Sequence, residues 1–335
     1  MGVKGIPATV LVAPDSFKGT FSASEVAGAI ARGLEAGGCP VDRCPVADGG
    51  EGTLEALLRA LGGERASATA HDPRGRSIST CYGLIPAGPR RPACAIVETA
   101  AASGLGLVAP AERDAVAAST FGTGELILAA VATGAQIVYL GAGGSATTDG
   151  GSGAIQAIRE GGGLHGARLV VLCDVRTPFE DAARVFAPQK GADTGDVRRL
   201  TNRLHALARG LERDPRGVLM SGAAGGMSGG LWSAFEAELV PGASFVLDAV
   251  GFGRRMRSAR AVVTGEGKLD RQSLAGKAIS EVATRARQAG VPCHAIVGTR
   301  ELDAFGARIL DLQAVREAQT LEAIERAGRE LAEAV

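Results

Sequence analysis

The stretch "ATVLVAPDSFKGTFSASEVAGAIARGLEAGG" (Ala8–Gly38) decides the fold class. Ala8 to Pro14 is a short β-branched apolar run, the pattern of a buried strand. A polar loop, "DSFKGTF", follows it. Ser22 and Glu25 then have the spacing of a capping box. Val26, Ile30 and Leu34 recur at helical spacing, and Gly37 is the stop. The segment reads as strand, loop, helix.

The same grammar recurs along the chain. "GAQIVYLGAGGSATTDGGSGAIQAI" (Gly134–Ile158) reads as strand, glycine loop, helix, and "ARLVVLCDVRTPF" (Ala167–Phe179) as a strand running into Asp174. "GVLMSGAAGGMSGGLWSAF" (Gly217–Phe235) is a short apolar run, a glycine loop and a helix. "ARAVVTGEGKLDRQSLAGKAISEVATRARQAGVPCHAIVG" (Ala259–Gly298) is strand, loop, helix, strand. Strands alternating with helices predict an α/β protein with a mainly parallel sheet. In such sheets ligands sit beyond the carboxyl ends of the strands, where the glycine loops leave. Asp196–Asp214, with Val197, Leu200, Leu204 and Leu211 on one stripe, reads as a packed surface helix, and Thr320–Val335 as a closing helix of the same kind. Domain boundaries are expected in the polar "GGERASATAHDPRGR" (Gly62–Arg76) and near "GFGRRMRSAR" (Gly251–Arg260).

The composition bounds the function. The chain has 335 residues, enough for two domains, with 46% hydrophobic and 21% charged residues. Lys plus Arg and Asp plus Glu are both 36, and aromatics are 4%, which disfavours a nucleic-acid surface. The 6 cysteines form no CxxC pair and fit reduced thiols. The N-terminus makes a poor signal peptide. The uncharged Leu126–Thr148 is long enough to span a membrane, but it is interrupted by glycines, threonines and Gln136 and reads as helix, turn, strand and loop. The expectation is a cytoplasmic protein with no membrane and no nucleic-acid partner. The outlier is glycine, with 49 residues clustered in short loops behind apolar runs.

No P-loop, no Rossmann G-x-G-x-x-G after a strand and no H-E-x-x-H occurs. With 4 histidines a His-rich metal site is disfavoured. Glycine loops holding acids and lysines remain. "PDSFKG" carries Asp15, Ser16 and Lys18. "ADGGEGT" carries Asp48 and Glu51. "GAGGSATTDGG" carries Ser145, Thr147, Thr148 and Asp149. "GEGKLDRQSLAGK" carries Glu266, Lys268, Asp270 and Lys277. Phosphoryl transfer needs this mixture. Backbone N–H groups at helix N-termini cradle phosphate. Carboxylates hold Mg²⁺ through its water shell. Lysines neutralise the transferring group, and a carboxylate takes the alcohol proton. Each loop alone is more often a tight turn. Asp174 could cap its turn, Glu98 could make a structural hydrogen bond, Lys190 could be a solvated loop lysine, and "SGAAGGMSGG" could serve close helix packing. His71 and His294 read as structural. The joint occurrence of the loops argues for a site.

These motifs, from "APDSFKGTFSASEVAGAIARGL" through "PVADGGEGTLEAL", "ETAAASGLGLV", "STFGTGELILAA", "GAGGSATTDGGSGAIQAI", "FAPQKGA" and "GAAGGM" to "VVTGEGKLDRQSLAGK", closely resemble the bacterial glycerate kinase family, type I class. The resemblance runs in family order from residue 8 to about 300. It implies ATP-dependent, Mg²⁺-assisted phosphorylation of D-glycerate, most often to 2-phosphoglycerate. Monomer and homodimer are both open to the chain. The alternatives are 3-phosphoglycerate as product, another small hydroxy acid as substrate, or a non-catalytic paralogue that binds glycerate or nucleotide. It also implies two α/β domains with an interdomain cleft. Residues 1–65 with 256–335 would build one, Rossmann-like, and 66–255 the other.

The roles that follow are expectations. Asp48, Lys18 and Asp270 are the catalytic candidates, with Asp48 favoured as base. Asp15, Ser16, Glu51, Lys268 and Lys277 would bind substrate. Gly143, Gly144, Ser145, Gln189, Lys190, Gly225 and Gly226 would bind nucleotide. Asp149, Asp174 and Glu266 would hold the metal. The chain departs from the family pattern between about 158 and 169, where it is shorter, and this should leave Ile155, Ile158 and Leu169 short of neighbours. The region after "AIVGTREL" also looks trimmed. Thr148 stands where Asn is usual.

Overall fold

The computed structural model describes residues 9–335 apart from Arg90 and Asp174. Its strands are β1 (Thr9–Pro14), β2 (Val41–Arg43), β3 (Glu64–His71), β4 (Ser77–Ile85), β5 (Cys94–Glu98), β6 (Ile137–Gly141), β7 (Arg168–Cys173), β8 (Glu238–Pro241), β9 (Ala259–Leu269), β10 (Cys293–Arg300) and β11 (Leu312–Glu317). They form two sheets, in a mixed α/β fold dominated by parallel pairing.

The chain packs as two compact units. The segment ending at Ala47 joins Val246–Val335 in the first, and Asp48–Phe245 forms the second. The boundaries expected at 65/66 and 255/256 therefore fall elsewhere. Helix Thr53–Leu61 packs on β4 and β5, and β3 pairs with β4, so residues 48–65 follow the second sheet. Phe252 and Met256 are buried in the core of the first unit, which takes residues 246–255 there.

The first sheet has the order β11-β10-β9-β1-β2 and is parallel throughout. Counted along its own strands this is 2-1-3-4-5, the flavodoxin-like form of the doubly wound fold. Alternation along the strands makes a core on each face. Leu11 and Ala13 of β1 face the core that holds helix Ala278–Gln288. Val10 and Val12 face the one that holds helices Ala23–Ala36 and Leu321–Leu331. The capping box forms as its spacing predicts. Ser22 Oγ accepts from the Glu25 N–H at 3.2 Å, Glu25 accepts from the Ser22 N–H at 2.8 Å, and Gly37 ends the helix.

His294 lies in β10 and is buried, and neither ring nitrogen meets a hydrogen-bond partner among the described residues. Burial, and then the Arg316 guanidinium, hold its pKa below the ordinary 6.5. The folded chain therefore keeps His294 neutral where the unfolded chain takes a proton. Its contribution is complete above pH 6.5 and is lost as pH falls below that value, by at most about 1.4 kcal/mol per pH unit. Urea melts of wild type and His294→Gln between pH 5 and 8 test this. A smaller acid loss is expected for the variant, and identical pH slopes would refute the assignment.

The second sheet has the sequential order β3-β4-β5-β6-β7-β8, with β3, β4 and β5 antiparallel in succession and β5 to β8 parallel. Right-handed crossovers in sequential order put the connecting helices on one face. Helices Phe121–Ala132, Ser152–Glu160 and Met227–Phe235 share one core there, through Leu126, Ile127, Ile155, Ile158, Met227 and Leu231. The expected apolar exposure near the shortened segment does not occur, because Ile155, Ile158 and Leu169 are 6%, 0% and 3% exposed. The loop 161–167 is long enough to return the chain from helix Ser152–Glu160 to β7 beside β6, so the same core closes over it.

Candidate active site

In the first unit the carboxyl ends of β1 and β9 are neighbours, and the connections from these strands leave in opposite directions. This is the topological switch point, where doubly wound sheets bind ligands. A cavity of about 390 Å³ opens there, lined by Asp15, Ser16, Phe17, Lys18, Thr20, Glu266, Gly267, Lys268, Lys277, Gly298, Thr299 and Gln319. The Asp15 N–H donates to the Gly265 carbonyl at 2.8 Å and turns the chain out of β1. A tight turn follows, with Phe17 and Phe21 bridged and Gly19 at φ 77°, and it carries Lys18 at its exposed tip. Asp15 is 4% and Glu266 6% exposed, and the Ser16 N–H donates to Asp15 Oδ1 at 2.6 Å. Lys277 Nζ lies 3.7 Å from Glu266 Oε2, and Lys268 pairs with Glu301 at 2.8 Å. That pairing, chiefly through the hydrogen bond to Glu301, raises the Lys268 pKa and keeps it cationic.

Six residues singled out in the sequence thus line one cavity: Asp15, Ser16, Lys18, Glu266, Lys268 and Lys277. Asp270 is not among its lining residues. Its Oδ1 accepts from the Gln272 N–H at 2.7 Å and the Ser273 N–H at 3.3 Å, so it caps the turn Arg271–Ala275. Thr20, Thr299 and Gln319 line the cavity and were not singled out. Thr299 at the end of β10 and Gln319 just beyond β11 were findable from the strand-end rule alone.

The second unit holds the other glycine loops, and much of their chemistry is spent on structure. Helix Thr53–Leu61 begins at Gly52, which lies in the left-handed region at φ 96°. Its N-terminus does face an anion, but the anion is Glu98. Glu98 accepts from the Leu54 N–H at 2.8 Å and from the Gly52 N–H. Burial first, and the Glu51 carboxylate next, push the Glu98 pKa up against those two donors. Gly49, at φ 98°, lies so close to β7 that a Cβ on it would sit 2.8 Å from the Leu172 carbonyl oxygen. Asp48 is buried, with Oδ1 accepting from the Gly50 N–H at 3.0 Å.

Asp149 is 1% exposed, and its carboxylate receives four hydrogen bonds. The Thr120 N–H, the Thr120 hydroxyl and the Gly153 N–H reach Oδ2 at 2.9, 2.8 and 3.2 Å, and the Gly151 N–H reaches Oδ1 at 3.0 Å. It caps helix Ser152–Glu160 and fills the place a ligand anion would take. Lys190 is buried as well, its Nζ donating to Ser145 Oγ at 2.9 Å and to the Thr147 carbonyl at 2.5 Å. It therefore holds the loop that carries Gly143, Gly144 and Ser145, while Gln189 beside it is exposed. Gly225 and Gly226 meet protein backbone. A Cβ on Gly225 would lie 2.0 Å from the Thr147 carbonyl oxygen, and one on Gly226 3.1 Å from the Gly150 Cα. Gly225→Ala also meets φ 66°, and it is expected to cost about 2–3 kcal/mol by urea denaturation. A variant as stable as wild type would show that this contact is not tight.

Asp174 lies outside the described residues. Among the described residues no group of three or more His, Cys, Asp and Glu side chains is placed to hold a metal. No helix among them is long and apolar enough to cross a membrane.

Comparison with known proteins agrees with this architecture. The chain matches the glycerate kinase family over residues 10–161 and 162–335, and the two matches meet inside the shortened segment. It is 37% identical to a glycerate kinase of Halalkalibacterium halodurans over 87% of this chain and 85% of that one. It is 36% identical to the glycerate 2-kinase of Escherichia coli K12, again over 87% and 85%. A crystal structure from Salmonella typhimurium LT2, described as that of a candidate glycerate kinase 2, superposes with a TM-score of 0.78 at 32% identity and 98% coverage of both chains. With sequence and fold matched over nearly the whole chain, this protein belongs to the glycerate kinase family and is a kinase.

Proposed function

We propose that this kinase transfers the terminal phosphoryl group of ATP, with Mg²⁺, to D-glycerate and releases 2-phosphoglycerate. The observation that carries the reading is the cavity at the switch point of the first sheet, which gathers three lysines, two buried carboxylates and a buried hydroxyl. Lys18 and Lys268 neutralise anionic charge on the substrates, and their cationic heads act without covalent chemistry. Asp15 is the assigned base, since a base must stand in the cavity that holds the reacting alcohol. Asp48 was favoured on sequence. It is buried in the second unit with one oxygen already receiving an N–H, and we keep it as the rival assignment.

Mg²⁺ keeps most of its water and needs only one or two protein carboxylates beside phosphate. The donor set of the cavity fits that demand, and Glu266 is the residue that would hold the ion. When bound, the ion screens charge on the phosphates. The free state of all 6 cysteines supports a reducing, cytoplasmic setting.

The test is an ATP-coupled assay on D-glycerate with Mg²⁺, the product being read by ³¹P NMR. Turnover with a 2-phosphate signal is expected. A 3-phosphate signal would shift the acceptor hydroxyl, and no turnover across a panel of small hydroxy acids would end the proposal.

A further inference from the structure

The helices behind the glycine loops differ at their N-termini. Glu98 occupies that of Thr53–Leu61 and Asp149 that of Ser152–Glu160. Helix Ala278–Gln288 begins at Lys277, and among the described residues no side-chain hydrogen bond caps it. Lys277 lines the cavity of the first unit, so the positive end of this helix lies at that cavity. A second feature points to the same place. Ser16 also lines the cavity and is 7% exposed, and its hydroxyl meets no hydrogen-bond partner among the described residues. A buried hydroxyl without a partner costs free energy unless a ligand satisfies it. An uncapped helix N-terminus, an ammonium and a spare hydroxyl together suit a tetrahedral oxyanion.

We propose that Ser16, Lys277 and the N-terminus of helix Ala278–Gln288 form a seat for a phosphate group, and that the phosphate binds there and not at the glycine loops of the second unit. The inference rests on the kinase reading of this cavity and adds to it the class of ligand and the atoms that meet it. A phosphate ester can come from two sources, the nucleotide and the phosphorylated acid.

Calorimetric titration of the full chain with ATP, 2-phosphoglycerate and D-glycerate tests it. Two variants probe the seat. Ser16→Ala removes the hydroxyl. Ala278→Pro removes one N–H at the first helical position, where proline is tolerated and where Lys277, at φ −66° and ψ 168°, already has the backbone a proline requires of its predecessor. Each variant is expected to weaken a phosphate-bearing ligand about tenfold, the effect of one hydrogen bond to a charged acceptor. D-Glycerate affinity should stay within about twofold of wild type. Weakening of ATP alone assigns the seat to the nucleotide, of 2-phosphoglycerate alone to the product, and of both to the group in transfer. Unchanged phosphate binding in Ser16→Ala overturns the inference, as does equal weakening of all three ligands, or failure of wild type to bind either phosphate ester. If Ala278→Pro does not fold, Ser16→Ala decides by itself. Turnover of D-glycerate with unaltered phosphate binding in the variants would defeat the seat and spare the function. Weakened phosphate binding without turnover would do the reverse.

Discussion

Asp15→Asn is expected to lower kcat on D-glycerate by at least ~10²-fold, with KM changed much less. The substitution is nearly isosteric and keeps an acceptor for the Ser16 N–H, so the turn out of β1 should survive. What it removes is a group able to take the alcohol proton as the new P–O bond forms. Lys18→Ala makes a contrasting case. It removes charge at the exposed tip of the turn, so part of its effect should appear in KM and should shrink as salt rises. Asp48→Asn is the decisive companion. If it collapses kcat while Asp15→Asn is near normal, the base belongs to the loop of the second unit, as the sequence alone had suggested. Folding is checked by far-UV circular dichroism, so that lost activity is not mistaken for lost structure.

The first unit was largely legible because its signals are local. A capping box, a glycine stop and β-branched runs each act within a few residues, and "ATVLVAPDSFKGTFSASEVAGAIARGLEAGG" contains all three. The cavity was legible too, since parallel strands carry their loops to one edge and Asp15 and Glu266 stand at neighbouring strand ends. The second unit was read less well. β3, "ERASATAH", is an exposed edge strand with few apolar residues, so its pattern looks like a linker, and pairing with β4 makes it a strand. The glycines are ambiguous in a more instructive way. Glycine permits close approach, but the sequence does not say of what. At Gly225 and Gly49 it is the protein's own carbonyls, from Thr147 and Leu172. The acids raised the same ambiguity. Glu98, Asp149 and Asp270 each accept N–H groups at the start of a helix or turn, a role whose residue type and spacing match those of a ligand site.

Asp149→Ala should therefore be the most destabilising of the site substitutions, costing about 4–5 kcal/mol and lowering the unfolding midpoint by roughly 10–20 °C. Two of its four donors belong to Thr120, which stands just before helix Phe121–Ala132, and the other two lie at the start of helix Ser152–Glu160. The two helices pack against each other in one core, so removing the carboxylate strands buried N–H groups at both and leaves a polar cavity where they meet. Asp149→Asn separates this role from metal binding. The amide can keep its oxygen toward Thr120 and Gly153, where three bonds arrive, and turn its NH₂ toward the Gly151 N–H, where one is lost. About 1–3 kcal/mol should then go, well under the alanine cost. A metal ligand predicts another pattern: both variants would fold with near-wild-type midpoints and both would need far more Mg²⁺ for half-maximal rate. Thermal melts and a Mg²⁺ titration of the folded variants at low temperature distinguish the two. Stable variants with a shifted Mg²⁺ requirement would return Asp149 to the metal, and unstable ones with an unshifted requirement would fix it as the clamp between the two helices.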